Sequence, residues 1–320
     1  MYMTDQQALS FMVQQASYIE AEVDEVSFPD IQYPDLIPVD DSAPEWSKSV
    51  TRFVSTKVGE AQFINSYARD IPRADVSMSK EELTVELAGI GYGYVLEELE
   101  QAKLMQAMRP GYRLETDRAL AAKRAADEFI DARLMFGYAP KGWAGLVNHP
   151  AVTATPAAPV GNLNGAANST LWDNKTPDQK LADVNSALSG IYTGSNTVEW
   201  ADTVLLPLTR MLSIGGGARS PTSDTTLLKF LKEANAYTTV TGQPLKVRGI
   251  RGLDTAGVGG TARIVAYRRD RKVLKAHIPM PHKFLAPWRA GSMTYEVPGI
   301  FRFGGLDIKR PGAVRYVDGI

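Results

Sequence analysis

The chain has 320 residues, with 35 Lys or Arg against 36 Asp or Glu, 44% hydrophobic and 22% charged residues, and no cysteine. That length buries a sizeable core, and the composition is that of an ordinary globular protein. No apolar run approaches the roughly 18 residues of a membrane-spanning helix, and the missing cysteines exclude disulfides, thiolate metal sites and cysteine nucleophiles.

Residues 1–15 lack the basic start and continuous apolar core of a secretory signal. Thr4 with Gln7 forms a capping-box pattern, and Leu9, Met12, Val13, Ala16 and Ile19 recur at helical spacing, which predicts a short amphipathic helix. The following "FPDIQYPDLIPVDDSAPEW" carries Pro29, Pro34, Pro38 and Pro44 and reads as an extended arm. Such an arm cannot bury Ile31, Leu36, Ile37 and Trp46 by itself. It lies either as a strap on its own domain or across a neighbouring subunit.

From Trp46 the texture changes to strands. "SVTRFVSTKVGEAQFI" and "SKEELTVELAGIGYGYVL" flank a polar segment and predict a long two-stranded excursion, with Leu83, Val85 and Leu87 on one face. An isolated hairpin is marginal in water, so the excursion needs support from another surface. Two helices are expected next, at Val95–Met108 and from Thr116 to Gly137, the second with Ala122, Ala126, Phe129, Ile130 and Leu134 as its apolar stripe.

Residues 150–174 read as loop or irregular strand. Thr176 and Pro177 open a capped helix lined by Leu181, Val184, Leu188 and Ile191. "VEWADTVLLPLTRMLSI" predicts a buried strand running into a helix, and "DTTLLKFLKEAN" another helix. From Leu245 onward the chain is strand-like, with Gly and Pro turns.

Charge is polarised along this order. Residues 1–50 hold ten acids and Lys48 alone, a net −9, whereas residues 245–320 have fifteen bases and five acids, a net +10. The basic end is either a nucleic-acid surface or a region that attracts the acidic one; ends of nearly equal magnitude favour the second reading.

No catalytic constellation emerges. Gly89, Gly91 and Gly93 make G-x-G-x-G rather than the G-x-G-x-x-G of a dinucleotide site. "SIGGGARSPTS" lacks the lysine of a phosphate loop, and His149, His277 and His282 show no metal-ligand spacing. The three glycines instead let two long elements meet closely or let the excursion hinge. The reading is of a non-enzymatic chain without cofactor or metal.

The extended acidic arm, the two-stranded excursion, the glycine corner into "YVLEELEQAKLM", the long helix, "GYAPKGWAGLVNHPAV" and the closing "FRFGGLDIKRPGAVRYVDGI" together resemble a tailed-bacteriophage major capsid protein with the Hong Kong 97 fold. The chain is similar also to encapsulin-type shells. The resemblance implies an α+β fold with an N-terminal arm over residues 1–47, an E-loop over 48–93, a P-domain from 94–149 and 275–320 with its spine helix at about 116–137, and an A-domain over 150–274. Gly89, Gly91 and Gly93 become the hinge of the E-loop.

It also implies pentamers and hexamers that close an icosahedral phage head around double-stranded DNA, touched without sequence specificity. Assembly takes place in the host bacterial cytoplasm, with a portal and scaffolding or decoration proteins as further partners. The alternative is an encapsulin-like nanocompartment shell, and a third reading is an α/β enzyme of unknown reaction. Ile31, Leu36, Ile37, Trp46, Arg302, Lys309 and Arg310 are the expected inter-subunit contacts. Reversing the charge of the last three is expected to impair assembly and leave the isolated subunit folded. Lys57 and Lys80 lie in the excursion, and no crosslink is expected from them.

Overall fold

The computed structural model describes residues 30–63, 73–108, 114–220 and 225–320. The helix expected near Leu9 lies outside the described residues. In chain order the elements are α1 (Tyr33–Leu36), β1 (Val39–Asp40), β2 (Ser49–Val58), β3 (Asp75–Thr84), β4 (Glu86–Gly89), β5 (Tyr92–Val95), α2 (Leu96–Met108) and α3 (Leu114–Phe136). They continue with β6 (Thr153–Pro156), α4 (Pro177–Gly194), β7 (Thr203–Pro207), α5 (Leu208–Gly216), α6 (Leu227–Glu233), α7 (Ala236–Thr241), β8 (Lys246–Ile250) and β9 (Arg263–Tyr267). The chain closes with β10 (Leu274–His277), β11 (Met280–Phe284), β12 (Trp288–Arg289), β13 (Thr294–Val297), β14 (Gly299–Phe303), β15 (Leu306–Ile308) and β16 (Val314–Asp318).

A five-stranded mixed sheet, in the order β6-β16-β9-β7-β8, organises the core. Its strands alternate between two apolar clusters. Leu205, Val265, Tyr267 and Tyr316 face the long helix α3 through Ala126, Ile130 and Leu134. Val204, Leu206, Ile264, Ala266 and Val317 face α4 through Val184, Ala187, Leu188 and Ile191. Every residue of β7 is buried, as a strand covered on both faces requires. The closing strand β16 pairs with β6 and β9 and so joins the sheet made by residues 153–267.

Local signals act where sequence reading expects them. Thr176 accepts from the Gln179 amide and the Gln179 side chain accepts from the Thr176 amide, a complete capping box with Pro177 at the first turn. The excursion is the antiparallel pair β2–β3, in register from Ser49↔Thr84 to Val58↔Asp75. One expected face breaks. Val85 is buried, whereas Leu87 is 51% exposed. Val85 donates to the Lys48 carbonyl where the ribbon ends, and the chain then enters β4 to pair with β14, so the alternation restarts on a new partner.

Residues 30–47 are a strap on their own subunit. The amides of Gln32 and Tyr33 donate to Asp131 of α3. Val39–Asp40 adds a parallel strand to β10, which pairs in turn with β15. Leu36 and Ile37 are 3% and 0% exposed in the core beside α3, and Tyr267 donates its hydroxyl to the Leu36 carbonyl at 2.9 Å. Of the two placements the arm allows, Leu36 and Ile37 take the strap on their own domain, where their apolar area is buried.

Candidate functional site

The ribbon β2–β3 stands away from the body. Residues opposite each other in an antiparallel pair share a face, so the register puts Phe53, Lys80, Met78, Lys57 and Val76 on one side and Arg52, Glu81, Val54 and Val58 on the other. The first side carries an apolar stripe open to solvent, with Phe53 and Met78 both 67% and Val76 54% exposed. Phe63, beyond β2, is fully exposed.

At the ribbon root, polar groups from five elements converge. Arg52 of β2 lies 3.0 Å from Asp307 of β15 and donates through Nε to Glu81 of β3 at 2.7 Å. Asp307 is 4% exposed. His277 of β10 sits 3.5 Å from Asp307 and 3.7 Å from Asp40 of the strap. Lys275 donates to Asp40. Burial alone raises the Asp40 pKa, but the hydrogen bonds from Lys275 and Ser42 outweigh it and hold the carboxyl well below its ordinary range.

The glycine corner is paired backbone. Gly89 lies opposite Ile300 in β4–β14, and Gly93 opposite Glu296 in β5–β13. A Cβ on Gly89 would meet the Gly299 carbonyl oxygen at 2.7 Å, one on Gly91 would collide with the Val297 carbonyl oxygen, and one on Gly93 would approach the Tyr295 oxygen at 3.2 Å. The requirement seen here is close approach of two backbones.

The charge complementarity read from the two ends operates within one chain over residues 30–47. Asp35 pairs with Arg248 at 3.4 Å and Glu45 with Lys283 at 2.6 Å, while Arg269 and Arg271 donate to the carbonyls of Pro34 and Val39. Arg302 is 8% exposed, donates to the Ser47 carbonyl at 2.6 Å and holds its guanidinium 5.2 Å from the Trp46 ring centroid. Arg310 pairs with buried Glu199, and Lys309 donates to the Arg271 carbonyl. Of the expected contact residues, Trp46 stays 61% exposed and Ile31 half-buried at the rim of a cleft with Met135 and Phe136.

The histidines are dispersed. His149 accepts from the Ala151 amide, and His282 lies 3.0 Å from the Ile90 carbonyl. Among the described residues, no group of three or more His, Cys, Asp or Glu could hold a metal ion, and no helix is long and apolar enough to cross a membrane. Sequence reading missed Arg52, His277 and Asp307 as a unit, because nothing local ties a strand cation at 52 to a carboxylate at 307.

An arm strapped across a long helix, a two-stranded ribbon and a mixed central sheet make up this subunit, and its fold matches those of solved phage capsid structures. The capsid of Myoviridae phage XM1 matches with a TM-score of 0.76 and 19% identity over 96% of this chain and 98% of that one. The capsid of a native GTA particle gives 0.61 and 11% over 99% of each chain. A Mycobacterium phage Bobi chain gives 0.59 and 12% over 98% and 99%. The fold is therefore the α+β Hong Kong 97 type.

The major capsid protein family matches over residues 59–320, and the chain belongs to that family. No curated protein matches it. The chain is thus a structural protein of a phage capsid shell, built from many copies of itself.

Proposed function

We propose that the chain assembles as pentamers and hexamers into an icosahedral head that encloses double-stranded DNA. The observation that carries the reading is the ribbon. It has ten residues per strand, two open edges and the stripe Phe53–Met78–Val76 in water. A free two-stranded pair of this kind is marginal, and an uncovered edge is a standing invitation to association. A neighbouring copy that covers it removes both liabilities, and each buried Å² of apolar surface adds about 25 cal/mol.

On this reading, residues 1–47 are the arm, 48–93 the E-loop, 94–149 with 275–320 the P-domain, and 150–274 the A-domain that meets its copies at the symmetry axes. The role is non-catalytic. Portal and scaffolding or decoration proteins complete the particle in the host cytoplasm, and DNA contact is electrostatic and salt-sensitive.

Negative-stain electron microscopy of the protein expressed alone, after size-exclusion chromatography, tests the proposal. Closed shells or rings of five and six subunits are expected. A compact monomer that persists when scaffolding partners are co-expressed overturns it. The contents of particles made in infected cells identify the cargo, with a genome expected and an enzyme cargo marking a nanocompartment.

A further inference from the structure

The ribbon is held to the body by few contacts. Its strands pair with each other along their length, and the bond from the Val85 amide to the Lys48 carbonyl closes the base of that pairing. Among the described residues, one side-chain ion pair crosses from the ribbon to the body beyond that root, Arg52 to Asp307 at 3.0 Å. Arg52 is the fourth residue of β2, far enough out to act as a lever on the remaining strand.

The two ends of this pair belong to different units. Asp307 is fixed: it lies in β15, is 4% exposed and has His277 at 3.5 Å. Arg52 is fixed to the ribbon, since it also donates to Glu81 directly across the strand pair. The guanidinium therefore bridges a carboxylate of the ribbon and a carboxylate of the body, and its planar fork suits two acceptors at once. The body side of the bridge is backed by Asp40, Lys275 and Lys309, so strap, ribbon and central strands meet at one charge cluster.

We propose that Arg52 is an orientation latch that sets the angle of the ribbon to the body through Asp307, and that its release lets the ribbon swing about its root while the strand pair stays intact. The pair ties one point of the ribbon to a carboxylate that is 4% exposed, so its removal strands that charge as well as freeing the ribbon. Loss of it costs the ribbon its direction and leaves the ten-residue register of β2 and β3 unaffected. The latch is a property of the single subunit; its consequence for particle curvature rests on the capsid reading above.

The absence of native cysteine makes the test clean. Spin labels at Ser79→Cys on β3 and Ser189→Cys on α4 report the ribbon-to-body distance by pulsed electron paramagnetic resonance, on full chain separated from assembled particles. The parent is expected to give one narrow distribution. Arg52→Ala is expected to broaden it at least two-fold, with Arg52→Lys in between. Lys80→Ala, which breaks the exposed Lys80–Glu82 pair, is the control and leaves the width unchanged.

Circular dichroism confirms folding; if Arg52→Ala does not fold, Arg52→Gln, which keeps the stem and loses the charge, is read in its place. A width equal to that of the Lys80→Ala control overturns the latch. Because the readout needs no assembly, a chain that stays monomeric even with scaffolding partners co-expressed overturns the proposed function and leaves this measurement intact.

Discussion

Lys175 Nζ lies 2.6 Å from Asp183 Oδ2 with both side chains sealed from solvent, and Trp172 Nε1 donates to the same oxygen at 2.8 Å. The irregular segment 157–175 is thereby clamped to the first half of α4. Removing one partner of such a pair strands a buried charge, which costs about 3–5 kcal/mol. Asp183→Ala and Lys175→Met are each expected to lose stability of that order in urea unfolding. The double substitution is expected to lose less than the two losses combined, because neither charge is then left alone.

The glycine corner gives a graded expectation. A Cβ at Gly91 meets a carbonyl oxygen most closely, at Gly89 the contact is 2.7 Å, and at Gly93 it relaxes to 3.2 Å. Substitution to Ala is therefore expected to destabilise in the order Gly91, Gly89, Gly93. The first is expected to reach the upper part of the about 1–3 kcal/mol range for overpacking, and the last to stay near its floor. Thermal unfolding of the three variants checks the order. A pure hinge role predicts three similar, small losses.

What the sequence made legible was local. The capping box at Thr176 and Gln179, the stripe Leu181–Ile191 and the strand-to-helix step at Pro207 depend on residues within a few positions of each other, and the structure places each of them. Pairings across the chain were not legible. The strap strand at Val39–Asp40 bonds to residues 276–277, and Arg52 reaches 307. Such contacts depend on topology, which a one-dimensional pattern does not encode. The switch of face between Val85 and Leu87 has the same origin, a change of partner strand. The buried Asp183 did leave a trace, as a carboxylate beside the apolar stripe of a helix.

Charge reversal in the closing segment now carries a different expectation from the one the sequence supported. Arg302 is enclosed, bonded to the Ser47 carbonyl and stacked near Trp46, so Arg302→Ala is expected to cost about 1.5–3 kcal/mol in the isolated subunit. Arg302→Glu costs more, because it buries a new unpaired charge. Arg310→Glu places a carboxylate against Glu199, which is 4% exposed and is held by Arg268 as well. Lys309→Glu, at a partly exposed position, has the smallest effect. The triple variant is expected to lose its native fold before assembly can be scored, and a native circular-dichroism spectrum at 37 °C would contradict this.

Acid should weaken the subunit in two windows. His149 accepts from the Ala151 amide, and burial lowers its pKa below 6.5 despite the nearby Asp307 charge. The unfolded chain then binds the proton more readily, so stability is full above pH 6.5 and falls as the pH drops below it. Asp40 is depressed too, its bonds to Lys275 and Ser42 outweighing burial, so its contribution is full above its ordinary value of 3.8 and fades below it. Urea midpoints measured from pH 7.5 downward are expected to decline first below about pH 6.5 and again below about pH 4. His149→Gln keeps a side-chain acceptor without a titrating proton and is expected to flatten the first decline alone. Asp40→Asn lowers stability at neutral pH and flattens the second. A His149→Gln profile that still declines just below pH 6.5 would assign that first decline to another group.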